Sequence, residues 1–144
     1  MILFIVGGVE PSWVSGHKRL ALFSASDYHL LASIVKKADR LVVTPHILTE
    51  TSNLLGKPGN PFNQDYFLKF AELVTNAELV DEHHVPGSEI VQSNEFSYLG
   101  LTDAGLMNLE PQGLTVLSCD SLLVTACLWN GLQAKNFNQL RKIA

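Results

Sequence analysis

Apolar residues along the chain fall into two kinds of block, some continuous and some spaced at helical intervals. Residues 2–6 form an unbroken apolar run, the pattern of a strand covered on both faces in a parallel sheet. Residues 41–43 make a second short run, and 114–117 is the clearest of the later ones. Residues 78–80 and 133–137 read as further strands, the last at a sheet edge. Between these runs the spacing becomes helical. Ser26 reads as an N-cap with Asp27 in the first turn, followed by Leu30, Leu31, Ile34 and Val35 on one face. Thr44-Pro45 opens a helix with a capping hydroxyl and a proline at the first helical position. That helix carries Ile47, Leu48, Leu54 and Leu55 and stops at Gly56. Asn63 caps a helix running to about Val74, with Phe67, Phe70, Leu73 and Val74 inward. Pro86-Gly87-Ser88 introduces a short helix, and Thr102 caps another through Leu109. Residues 121–129 form a buried helix stopped by Gly131, and a last partial helix starts at Asn138. Residues 7–16, 57–62 and 111–113 read as loops and a turn.

Strands alternating with helices predict an α/β fold, a three-layer α/β/α sandwich around a central parallel sheet. The chain of 144 residues reads as one domain, long enough to bury a core. An apolar content of 47% excludes wholesale disorder. A net charge of −4 argues against binding nucleic acid through a global basic surface. It leaves room for a site of clustered carboxylates. Cys119 and Cys127 share one apolar stretch and read as small buried hydrophobes rather than a disulfide or metal pair. No apolar run approaches the ~20 residues of a membrane helix. The first residues lack a basic segment and break at Gly7-Gly8, unlike a signal peptide. The expected location is cytoplasmic.

In open parallel sheets ligands sit outside the carboxyl ends of the strands. Three acids fall at such positions. Glu50 lies early in the helix after 41–43, Asp103 directly follows Thr102, and Asp120 ends the strand of 114–117. An Asp in a first helical turn is favoured by the helix dipole alone, and Asp120 also suits a simple N-cap. Glu50 is harder to explain this way, since it stands among Ile47, Leu48, Leu54 and Leu55 on a helix otherwise without charge. Three carboxylates at one end of a sheet repel one another, and a divalent cation relieves that repulsion.

The segment Val42-Val-Thr-Pro-His-Ile-Leu-Thr-Glu-Thr-Ser-Asn53 resembles the strand-and-helix segment of PIN domains that carries a glutamate. Gly100-Leu-Thr-Asp-Ala-Gly105 is similar to the segment with their third acid. Val116-Leu-Ser-Cys-Asp120 with its apolar helix is similar to the segment with the fourth. The resemblance implies a single PIN-like, Rossmann-like domain and a metal-dependent endoribonuclease. In it Glu50, Asp103 and Asp120 are both the catalytic residues and the ligands of Mg²⁺ or Mn²⁺. Ser118 and His46 support them. The implied reaction is hydrolysis of RNA phosphodiester bonds, with the cation offsetting charge on the phosphoryl oxygens. A VapC-type toxin held by an antitoxin protein, and a homo-oligomer, are the implied assemblies.

One departure bears on catalysis. PIN domains carry a first acid at the end of strand one, and residues 1–6 hold none; the first carboxylate is Glu10. This reads as a chain starting downstream of the usual Asp, with cleavage weakened or lost. The alternative is a non-catalytic PIN-like module that binds RNA or a protein.

Lys18 and Arg19, with His17 and Trp13 nearby, give the first loop a basic and aromatic character suited to RNA backbone and a stacked base. An ordinary exposed loop has the same composition. His46 shares a helix face with Glu50 four positions on. Asp81-Glu-His-His84 reads as a solvated loop rather than a metal cluster. A nucleotide-binding domain is disfavoured, because neither Gly-x-Gly-x-x-Gly nor Gly-Lys-Ser/Thr occurs.

Overall fold

The computed structural model describes residues 1–57, 59–60, 63–109 and 113–143. The loop expected at 57–62 and the turn at 111–113 fall partly outside these residues, at Pro58, Pro61, Phe62, Pro111 and Gln112. The chain divides into two compact units, one of Met1–Leu41 with Thr49–Asp81 and one of Val42–Leu48 with Glu82–Ala144.

The first unit is mainly helical. Ile2–Gly7 is α1, Pro11–Gly16 is α2, Ala25–Val35 is α3 and Gln64–Val74 is α5. Residues 2–6 are therefore helix, not the expected strand. A strand buried on both faces needs neighbouring strands to take its N–H and C=O groups, whereas α1 packs against α2, α3 and α5. Only internal bonds can then satisfy its backbone. Met1 C=O accepts from Phe4 N–H (2.9 Å) and Ile5 N–H (3.1 Å), and Phe4 C=O accepts from Gly8 N–H (2.9 Å). Phe4 is 2% exposed and stacks on Phe23 at 4.5 Å, with Tyr28 edge-on at 6.0 Å. The Tyr28 ring lies so close to the backbone that a Cβ at Gly8 would fall within it. Glycine there is a requirement of close approach.

Residues 11–16, expected as loop, form α2 with Pro11 at its start, the helix-opening signal that proline gives at this position. The cap of α3 is Ser24 rather than Ser26. Asp27 explains the shift, because it stands at the third helical position from Ser24 and completes a capping box. Ser24 N–H donates to Asp27 Oδ2 (2.8 Å) and Asp27 N–H to Ser24 Oγ (3.2 Å). In α5 the buried side chain is Tyr66. Phe67, Phe70, Leu73 and Val74, expected inward, are half-buried.

Leu41–Val43 is β1 and Pro45–Leu54 is α4, as the sequence predicts. The Thr44 hydroxyl accepts from Ile47 N–H at 3.3 Å. β1 pairs with β2, Val80–Glu82. Leu41 N–H donates to Leu79 C=O at 2.7 Å and His83 N–H to Val43 C=O at 2.9 Å, a parallel pattern.

The second unit holds α6 (Gly87–Ile90), α7 (Phe96–Met107), β3 (Thr115–Ser118), α8 (Ser121–Trp129), β4 (Gln133–Asn136) and α9 (Phe137–Ile143). β3 and β4 pair in parallel, with Thr115 opposite Gln133 and Ser118 opposite Asn136. α8 is the crossover and buries Leu123, Val124, Ala126 and Cys127. Phe137, expected to end the strand, starts α9 instead and is fully buried. Val85, Ile90 and Ala104 pack together with Leu109 against them. α7 begins before Thr102. It runs through a break at Gly100, where φ is 77° and ψ is 179°. A positive φ of this kind suits glycine. Thr102 thus lies inside a helical segment that restarts after Gly100, and Asp103 stands in the first turn of that segment.

The fold is α/β in the broad sense, helices with short parallel strands. Among the described residues the strands form two two-stranded sheets rather than one central sheet. No helix among them is long and apolar enough to cross a membrane.

Candidate functional site

The carboxyl end of β3 is the most highly organised polar region of the second unit. Ser118 closes the strand, and its hydroxyl accepts from Asp120 N–H at 3.0 Å. Asp120 caps α8, with Oδ1 accepting from Leu122 N–H at 2.7 Å and Leu123 N–H at 3.2 Å. This satisfies two of the donors that a helix start leaves open. It also fixes the carboxylate in direction. Asp120 is exposed, and its other oxygen, Oδ2, has no hydrogen-bond partner among the described residues.

The turn is also tied to the following strand and helix. Asn136, only 5% exposed, donates from Nδ2 to Ser121 Oγ at 3.0 Å, and its carbonyl Oδ1 accepts from Asn138 N–H at 2.9 Å. Asn138 Nδ2 donates in turn to Cys119 C=O at 3.2 Å. The sequence reading gives Asn136 no role and Asn138 only that of a helix start, so the part both play in this turn goes unforeseen. An asparagine at the end of a parallel strand, two before another asparagine, is the signal that could have found them.

Asp103, on α7, is half-buried. α7 packs against α8, and the Asp103 charge reaches Cys127 there. Burial pushes the Cys127 thiol above its ordinary pKa, and the Asp103 carboxylate adds to the rise. Burial likewise raises Cys119. Cys127 is buried, as the sequence predicts, whereas Cys119 is half-buried, and neither is in a disulfide among the described residues.

His46 stands in the first turn of α4 and is half-buried. Its Nδ1 is buried without a hydrogen-bond partner among the described residues. Glu50, farther along the same helix, is exposed. Glu50 belongs to the first unit; His46, Asp103, Ser118 and Asp120 belong to the second. Carboxylate oxygens are the right donors for Mg²⁺ or Mn²⁺, so the donor chemistry fits such a cation. Among the described residues, however, no three His, Cys, Asp or Glu side chains stand together as a metal-holding group.

Lys18 and Arg19 are exposed, but their aromatic neighbours are engaged in packing. Trp13 packs on Tyr66 with ring centroids 4.6 Å apart, and His17 meets the same ring edge-on at 5.7 Å. His17 Nε2 pairs with Leu54 C=O at 2.9 Å, while Nδ1 accepts from Arg19 N–H at 3.2 Å. A carbonyl can only accept, so the proton sits on Nε2 and the ring is the neutral tautomer. Lys18 and Arg19 thus stand exposed, while Trp13 and His17, both half-buried, pack within the first unit. Comparisons with protein-family models, curated proteins and solved structures gave no match.

Proposed function

We propose that the chain is a PIN-like, metal-dependent endoribonuclease whose site is centred on Asp120. The observation that carries this reading is the Asp120 carboxylate at the end of parallel β3. Oδ1 accepts from α8 backbone donors, Oδ2 has no hydrogen-bond partner among the described residues, and the residue is exposed. A carboxylate fixed in this way loses little freedom on meeting a cation. Asp103 and Glu50 are the further acidic ligands in this reading, with Ser118 positioning the Asp120 backbone and His46 in support. Lys18 and Arg19 are assigned to the RNA backbone. The finer architecture, a three-layer sandwich with a central parallel sheet, belongs to the same proposal, as do an antitoxin partner and a homo-oligomer. Mg²⁺ or Mn²⁺ would supply positive charge to offset that of the phosphoryl oxygens.

The test is cleavage of a mixed-sequence RNA in Mn²⁺ by the wild-type chain and by Asp103→Asn, Asp120→Asn and Glu50→Gln. The expected result is wild-type cleavage lowered at least tenfold in each variant. Equal cleavage by all four proteins would place the activity elsewhere.

A second reading, a non-catalytic RNA- or protein-binding module, is favoured by the helical state of residues 2–7. A PIN-type first acid belongs at the end of a strand, and neither the strand nor the acid stands there. Binding of the same RNA by the wild-type chain, without cleavage in Mn²⁺, would support this reading over the first.

A further inference from the structure

One side of α8 is buried and the other is apolar yet bare. The helix packs on β3, β4 and α7 and buries Leu123, Val124, Ala126 and Cys127. On its outer side Leu122 is 54% exposed, Leu128 55% and Trp129 87%, with Thr125 exposed between them. Residues 121–129 include no charged side chain. A helix apolar on every side belongs in an interior rather than on a surface. A tryptophan left this bare forgoes one of the largest burials a side chain offers. All these residues lie in the second unit.

The spacing of the bare residues is that of a helix-pairing seam. Leu122, Thr125 and Trp129 stand at i, i+3 and i+7, so they line one stripe two turns long. Leu128 flanks it. Gly131, at a φ of 74°, ends the helix, and Leu132 N–H turns back to Cys127 C=O at 2.9 Å. The stripe therefore has a large side chain at each end and a small one in the middle. About a two-fold axis beside Thr125 it is self-complementary, because Leu122 of one copy falls opposite Trp129 of the other. Thr125 at the crossing lets the two helix axes approach closely. Antiparallel pairing also sets the positive N-terminus of each helix beside the negative C-terminus of the other. The chain carries a net charge of −4, but a seam without charge brings no like charges together. A partner recognised by its charge would find nothing on this face to pair with.

We propose that this face of α8 docks on the same face of a second copy of the chain, as an antiparallel helix pair. The bare side chains amount to about 400 Å² in each copy, the size of patch that marks interaction surfaces. Two such faces with their rims bury on the order of 1,000 Å², at the lower bound for a specific interface. The dimer is accordingly weak, with a Kd on the order of 50 µM. This supplies a surface for the proposed homo-oligomer and requires nothing else of the nuclease reading. A dimer that does not cleave RNA, or a monomer that does, separates the failure of one from the failure of the other.

The test is sedimentation equilibrium of the full chain, over concentrations from about a tenth to about ten times this Kd. The expected result is a monomer–dimer equilibrium. Leu122→Glu and Trp129→Lys, each alone, should weaken it at least about thirtyfold, as loss of a central apolar anchor does. Each new charge suits the helix end at which it stands, so both variants should keep the circular dichroism of the wild type. Mixing the two variants should restore association, to at least about tenfold tighter than either alone, since the antiparallel register sets the introduced carboxylate against the introduced ammonium. A parallel pair would not bring these two groups together. A wild-type chain that stays monomeric throughout assigns the face to another occupant and overturns the proposal. Variants that dimerise as the wild type does, or a mixture that stays monomeric, overturn it as well.

Discussion

Ile2–Gly7 and Thr115–Ser118 are both short segments with β-branched and apolar residues, yet the first coils into α1 and the second extends as β3. The difference lies in what surrounds them. β3 has β4 beside it in parallel register, with α8 as the crossover, so its backbone groups find partners on another strand. α1 is packed by α2, α3 and α5 and must satisfy its own backbone. A continuous apolar run states only that a segment is buried, and its neighbours decide whether it coils or extends.

The comparison is broken most directly in the first unit. Phe4→Ala removes a ring that stacks on Phe23 and meets Tyr28, and should cost about 3–5 kcal/mol in chemical denaturation. Stability within 1 kcal/mol of wild type would show that α1 does not pack through Phe4.

Smaller effects are expected at the end of β3, and these separate the cap from the chemistry. Asp120→Ala removes the acceptor for Leu122 and Leu123 N–H and should cost about 1 kcal/mol. Asp120→Asn keeps an acceptor at the same place, since Asn caps about as well as Asp. Its stability should stay close to wild type, measured by the same denaturation. If the two variants are equally stable, the capping bonds contribute nothing measurable.

The smallest effect concerns Cys127. Its thiol is raised by burial and then by Asp103, so Asp103→Asn removes a negative charge that disfavours the thiolate. The midpoint of Cys127 ionisation, followed by thiolate absorbance in a Cys119→Ser background, should move to lower pH in the variant. It should still lie above that of a free cysteine, because burial remains. An unchanged midpoint would mean that Asp103 does not act on α8 at Cys127.

Much of the second unit is legible in the sequence, for reasons visible in particular residues. Asp120 follows an apolar run, precedes an apolar helix and is answered by Gly131 and a further strand, so that strand, cap, helix and return all stand in one short stretch. Thr44-Pro45 marked the start of α4 in the same way. The failures have equally local causes. Gly7, Gly8 and Gly16 around Pro11 suggest a loop, although proline also opens helices. Ser24 caps α3 in place of Ser26 because it stands three residues before Asp27 and shares reciprocal bonds with it. Thr102 resembles a cap in the sequence because the positive φ at Gly100, where α7 restarts, leaves no mark that distinguishes it from any other glycine. The candidate acids were found by their positions after strands. The buried Asn136 was missed because its partner Ser121 is fifteen residues away.

The central claim is that the free oxygen of Asp120, held in place by α8, meets a divalent cation. Paramagnetic broadening of backbone resonances by substoichiometric Mn²⁺ tests it most directly. The account predicts broadening focused on residues 118–122 and lost in the folded Asp120→Asn variant. Broadening that spares these residues, or that persists unchanged in the variant, would contradict it.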